Sequence, residues 1–125
     1  MGWTLKSATF EQRARGGRAA FRFYILQRVT ALVMAPMVLI HLATILYATF
    51  QGLSAEAILD RTQGSVLWAS FYGLFVVAAA IHGTIGLRTV LAETFGWRLA
   101  GLDVLMVCFF LAILGLGIRA VVIVT

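Results

Sequence analysis

The sequence is short of charge, of cysteine and of proline. Only 12% of its 125 residues are Asp, Glu, Lys or Arg, while 62% are hydrophobic. A water-soluble domain of this length needs a more highly charged surface, so that class is excluded. The single cysteine, Cys108, excludes an internal disulfide and supplies no metal-ligand spacing; it reads as a small apolar helix residue. The single proline, Pro36, falls inside an apolar run. There it removes one backbone bond and predicts a kink that neighbouring helices tolerate in a membrane. Acids are scarce, five against ten basic residues, and none is embedded deep in an apolar run; Glu93 and Asp103 go with the second loop. With no internal repeat either, the sequence argues against a small membrane transporter.

What is present is long hydrophobic runs, about 24–50, 66–91 and 102–124. Each reaches the roughly 20 residues needed to cross a hydrocarbon core, and lipid forces the backbone to be helical. The expected fold is all-α: one integral membrane domain over residues 1–125 with three transmembrane helices. The first run is too long for a signal-peptide core and lacks a cleavage site, so it is kept as a mature helix. Lys6, Arg13, Arg15, Arg18 and Arg22 precede this run and Arg28 lies just inside it, against the single acid Glu11. This asymmetry predicts a cytoplasmic N-terminal segment, residues 1–20, and a periplasmic C-terminus in a multi-pass protein of the bacterial inner membrane. Topology accounts for the positive charge, so no nucleic-acid partner is implied.

Local signals refine the picture. Gly16 and Gly17 are expected to break any helix in the N-terminal segment. Phe21, Phe23 and Tyr24 suit an inner aromatic collar, and Trp68, Phe71 and Tyr72 an outer one. Ser54, followed by Glu56, predicts the start of a short interfacial helix over 55–60. The stretch "ETFGWRLAG" reads as a tight cytoplasmic turn. Arg119 has a stem long enough to snorkel to the outer interface.

Polar residues inside the spans are costly and call for a function. In the second span, helical steps from His82 reach Gly86, Thr89 and Glu93 in one direction and Ala78 and Ala79 in the other. A stripe of small residues admits a close neighbour, either another helix or a porphyrin with His82 as axial ligand. His82 lies about ten residues from the cytoplasmic end, roughly 15 Å deep and near mid-membrane. In the first span Gln27, Thr30, Met34, Met37, His41 and Thr44 share one face, with Arg28 beside them. A cation there wants a carboxylate, a haem propionate or a quinone oxygen. His41 lies roughly 25 Å from the inner end, too far from the depth of His82 to share one iron. An interhelical hydrogen bond is expected of it, with a second haem as the alternative.

Two motifs carry a resemblance that covers nearly the whole chain. "LQRVTA", Leu26 to Ala31, is similar to a pattern of histidine, arginine, any residue, serine, glycine. "HGTIGLRTVLAETFGW", His82 to Trp97, is similar to histidine, three residues, glycine, one residue, arginine, then an acid. With these the chain resembles the cytochrome b membrane-anchor subunits, of the C type, of succinate dehydrogenase and fumarate reductase. The resemblance implies haem b with His82 as the iron's axial ligand, and cofactor contacts from Arg28, Gly86, Arg88 and His41. It implies a quinone site of Tyr24, Gln27, Arg28, Thr30 and Trp97. It implies three partners: a flavoprotein subunit that oxidises succinate, an iron–sulfur subunit that carries the electrons, and a second membrane-anchor subunit. The chain has no flavin fold or cysteine cluster of its own, so it is not expected to catalyse alone. Gln27 stands where the family has a histidine, Tyr24 where it has a serine, Thr89 where it has a second histidine, and Glu93 where aspartate is usual. "RFYILQR" is also similar to haem-free fumarate reductase anchors. A haem-free structural anchor, with His82 as an interhelical hydrogen bonder, is therefore the rival expectation.

Overall fold

Peptide groups that cross lipid must find their hydrogen bonds within their own segment, and this chain does so with helices. The computed structural model describes residues 2–96 and 100–125, with side chains over 12–96 and 101–125. It contains α1 (Gly2–Phe50), α2 (Ala55–Thr62), α3 (Val66–Phe95) and α4 (Ala100–Val124). Three segments are long and apolar enough to span a membrane: Gln12–Phe50, Val66–Phe95 and Gly101–Val124.

The helix ends follow local chemistry. Ser54 caps α2, its Oγ accepting from Ala57 N at 3.2 Å, with Glu56 in the first turn. This is the expected start, and the helix runs two residues beyond the expected end. Ser65 caps α3 in the same way, accepting from Trp68 N at 3.3 Å. Gly96 takes the left-handed conformation, φ 60°, that ends α3. The expected break at Gly16 and Gly17 does not occur: α1 runs through both. Each glycine costs about 1 kcal/mol in a helix interior, but Arg15, Arg18, Ala19 and Ala20 around them are good helix formers. α1 also continues through Pro36.

α3 lies between α1 and α4 and is the main neighbour of each. Small residues allow these approaches: Ala78 and Ala80 of α3 are buried, at 5% and 0% exposure. On α4, a Cβ at Gly117 would overlap Val76 Cγ1 and lie 2.9 Å from its Cγ2, so only glycine fits against that stiff side chain. Buried apolar residues are few, with Met37, Leu102 and Met106 added to the two alanines. Large side chains such as Leu32, Leu39 and Val122 point outward, as lipid-facing residues do. The Gly64 N–H donates to Thr125 O at 2.6 Å, so the chain's C-terminus meets the α2–α3 loop. The start of α3 and the end of α4 thus share one side, while the end of α3 and the start of α4 share the other.

Candidate functional site

His82 faces α1. Thr30, 6% exposed, places Oγ1 2.8 Å from Leu26 O and 3.2 Å from His82 Nδ1. With the hydroxyl hydrogen directed to Leu26 O, Nδ1–H is the donor to Thr30, and the lone pair lies on Nε2. Gln27 Nε2 faces that lone pair at 3.4 Å. The other end of this amide, Oε1, is buried with no hydrogen-bond partner. Gly86 makes room for Gln27, since a Cβ there would lie 3.3 Å from its Nε2.

Next to this network is a cleft of about 480 Å³ lined by Tyr24, Gln27, Arg28, Arg88, Phe23 and Thr89, among others. Gln27 belongs to both the cleft and the His82 network. Arg28 sits over the Tyr24 ring, 5.3 Å from its centre, and makes no ion pair among the described residues. Arg88 lies 5.9 Å from the centre of the Phe23 ring and bonds Asp103 Oδ1 through Nη2 (3.1 Å) and Nε (3.3 Å). Both members of that pair are substantially exposed, so it positions the guanidinium more than it stabilises the fold. Two cations, a phenol and an amide therefore converge on one opening. Such a cleft holds anionic or carbonyl oxygen, and can polarise it.

The sequence-predicted residues fall into four groups. Tyr24, Gln27, Arg28 and Arg88 line the cleft, whereas Thr30 and Gly86 belong to the packed layer around His82. Trp97 lies outside the described residues. His41 is elsewhere, in a cavity of about 550 Å³ with Tyr72, Phe75 and Gly117. Among the described residues the interhelical hydrogen bond expected of His41 is not found. Its ring packs edge-on against Tyr72, centres 5.6 Å apart, and its Nδ1 is buried with no partner. Two contacts went unforeseen. They are the bond of Arg88 to Asp103 and the contact of Gln27 with His82. The first had a signal: a lone acid at the start of the third run, one tight turn after Arg88.

His82 has the chemistry of a haem ligand: Thr30 Oγ1 lies 3.2 Å from Nδ1, which leaves Nε2 for a metal, and the Gln27 amide that faces Nε2 is held by one long contact with its carbonyl oxygen orphaned. Among the described residues no three His, Cys, Asp or Glu side chains gather as a metal set, so an iron here would rest on a macrocycle with an imidazole ligand.

Comparison with curated proteins and with solved structures finds no match. A family model does match, described as the succinate dehydrogenase/fumarate reductase transmembrane subunit, over residues 8–118. That span takes in the first two apolar helices, most of the third, the His82 network and the arginine cleft, and the chain belongs to the family of succinate dehydrogenase/fumarate reductase transmembrane subunits.

Proposed function

We propose that this chain binds haem b and forms part of the quinone site of a succinate:quinone oxidoreductase, passing electrons from an iron–sulfur subunit to quinone. One observation carries the reading: Arg28, with no ion-pair partner among the described residues, shares a cleft with Tyr24 and Arg88, and Gln27 joins that cleft to His82. His82 Nε2 would ligate the haem iron once the Gln27 amide turns aside. Thr30 would hold the ring, and Arg28 and Arg88 would hold the propionates. Bound there, haem b supplies reversible one-electron storage. Quinone is the substrate, taking up two electrons and two protons. Arg28 stabilises negative charge as it develops on a quinone oxygen. The Tyr24 hydroxyl donates a hydrogen bond to the same oxygen and passes it a proton that the aqueous side replaces. A flavoprotein subunit feeds the iron–sulfur subunit, and a second anchor supplies the facing wall of the cleft.

The haem-free anchor is the second reading. Its support is the pair of contacts from His82 to Thr30 and Gln27, which engage both ring nitrogens. The complex purified through a tag on this chain separates the two. We expect flavoprotein and iron–sulfur subunits to copurify, with a b-type spectrum that succinate reduces. Quinone reductase activity without haem would replace the first reading by the second. Absence of the flavoprotein subunit would overturn both.

The cleft is useful only on the side where electrons arrive. The basic N-terminal segment supports a cytoplasmic N-terminus and a periplasmic C-terminus in a bacterial inner membrane. In a Cys108→Ala background, Glu56→Cys is expected to react with an impermeant maleimide in intact cells, and Thr94→Cys is not. The reverse pattern would invert the orientation and place the cleft on the wrong face.

A further inference from the structure

We propose that Arg15, Arg18 and Arg22 form a headgroup site for an anionic phospholipid, with its acyl chains running along α1. Steps of three and four residues put the three guanidinium groups on one helical face. They line a cavity of about 390 Å³ together with Phe23 and Leu26. A second cleft, about 350 Å³, continues from it and shares Arg22 and Leu26. Its other walls include Ile25 and Val29. The surface is therefore cationic at one end and apolar at the other, in the order in which a phospholipid presents phosphate and hydrocarbon.

The charge is unbalanced. In the sequence one acid, Glu11, stands four residues before Arg15 and none occurs from Gln12 to Phe50; the ion pair found among the described residues is Arg88–Asp103. Among the described residues the triad makes one long bond, Arg18 Nε to Ala14 O at 3.4 Å. Like charges one turn apart repel, and a phosphate between them removes that repulsion. Depth fits Arg22, which lies 28 residues before Phe50, the end of α1. At about 1.5 Å per residue that is roughly 42 Å, the far limit of a bilayer about 40–45 Å thick with its headgroups, and Arg18 and Arg15 follow on its aqueous side. An acidic protein segment would match the arginines but not the apolar cleft, which runs from Leu26 to Val29 toward the hydrocarbon. A lipid matches both.

The test uses the purified complex in neutral detergent, with bound lipid counted by native mass spectrometry. Phosphatidylglycerol is expected to bind at least tenfold more tightly than phosphatidylcholine, and the preference to weaken with salt. The triple variant R15Q/R18Q/R22Q is expected to lose that preference, and the triple lysine variant to keep most of it. If the glutamine triple fails to insert, R18Q alone is expected to lower phosphatidylglycerol binding about fivefold. Equal binding of the two lipids by wild type would overturn the proposal, as would unchanged binding by both R18Q and the triple. Binding of glycerol phosphate as tight as that of phosphatidylglycerol would assign the site to free anions instead. Release of the iron–sulfur subunit from the glutamine triple, with phosphatidylglycerol still bound, would assign it to a protein.

Discussion

Replacing His82 with leucine is expected to remove the b-type absorbance of the complex almost entirely. The substitution deletes the lone pair at Nε2 and the Nδ1–H that bonds Thr30, and it keeps an apolar side chain of similar bulk in α3. Losing a partner of a metal ligand typically costs 10–100-fold in metal affinity, and losing the ligand costs more. Haem content is therefore expected to fall at least tenfold. Gln27 and Thr30 remain on α1, and Thr30 keeps its own bond to Leu26 O, so helix packing should survive. Reduced-minus-oxidised spectra of wild type and variant are the measurement, with succinate oxidation by a soluble acceptor as the check on assembly. An unchanged spectrum would remove His82 from the iron. Wild type without any b-type spectrum would leave His82 as the interhelical hydrogen bonder of a haem-free anchor.

Arg28→Leu is the second large effect. Arg88, the other cation of the cleft, already bonds Asp103 and lies over the Phe23 ring, so it replaces Arg28 only in part. Quinone reduction is expected to fall at least about tenfold, equivalent to about 1.4 kcal/mol of transition-state stabilisation. Part of that loss comes through Tyr24, whose ring is covered by the guanidinium. Arg28→Lys keeps the charge and loses the planar fork, and should fall between the two. Succinate oxidation with a soluble acceptor should stay at the wild-type level, because that chemistry belongs to another subunit. An equal loss of both activities would show failed assembly and withdraw Arg28 from the quinone.

The three spans were legible because lipid imposes one strong rule, a long apolar run, and the few charges in these runs lie toward their ends. Ser54 was legible because a cap is a local interaction, decided within four residues. The length of α1 was not. Gly16 and Gly17 are strong local breakers, yet the arginines and alanines around them sustain the helix. The site was legible in its parts rather than its pairings. Periodicity placed Gln27 and Thr30 on one face of the first span and His82 on a stripe of the second, and these faces do meet. Which atoms touch depends on the rotation of α1 against α3, which no single-helix pattern contains. His41 shows the limit. It shares the polar face of Gln27 and Thr30, but opposite it α3 presents the rings of Tyr72 and Phe75, and His41 meets them by ring packing.

The placement of α3 between α1 and α4 has a consequence for biosynthesis. As the chain leaves the ribosome, α1 enters the membrane with Thr30 bonded to its own helix and with no partner on α1 for the Gln27 amide. Gln27 meets His82 only when α3 follows. α4 comes last and packs mainly on α3; its tie to the site is the bond of Asp103 to Arg88, while the His82 contacts run between α1 and α3. From the end of α3 to the end of α4 is some 29 residues, from Phe95 to Val124. At about 5–20 residues per second, translation leaves an interval of roughly 1.5–6 s in which the imidazole is already seated and the last helix is still being made.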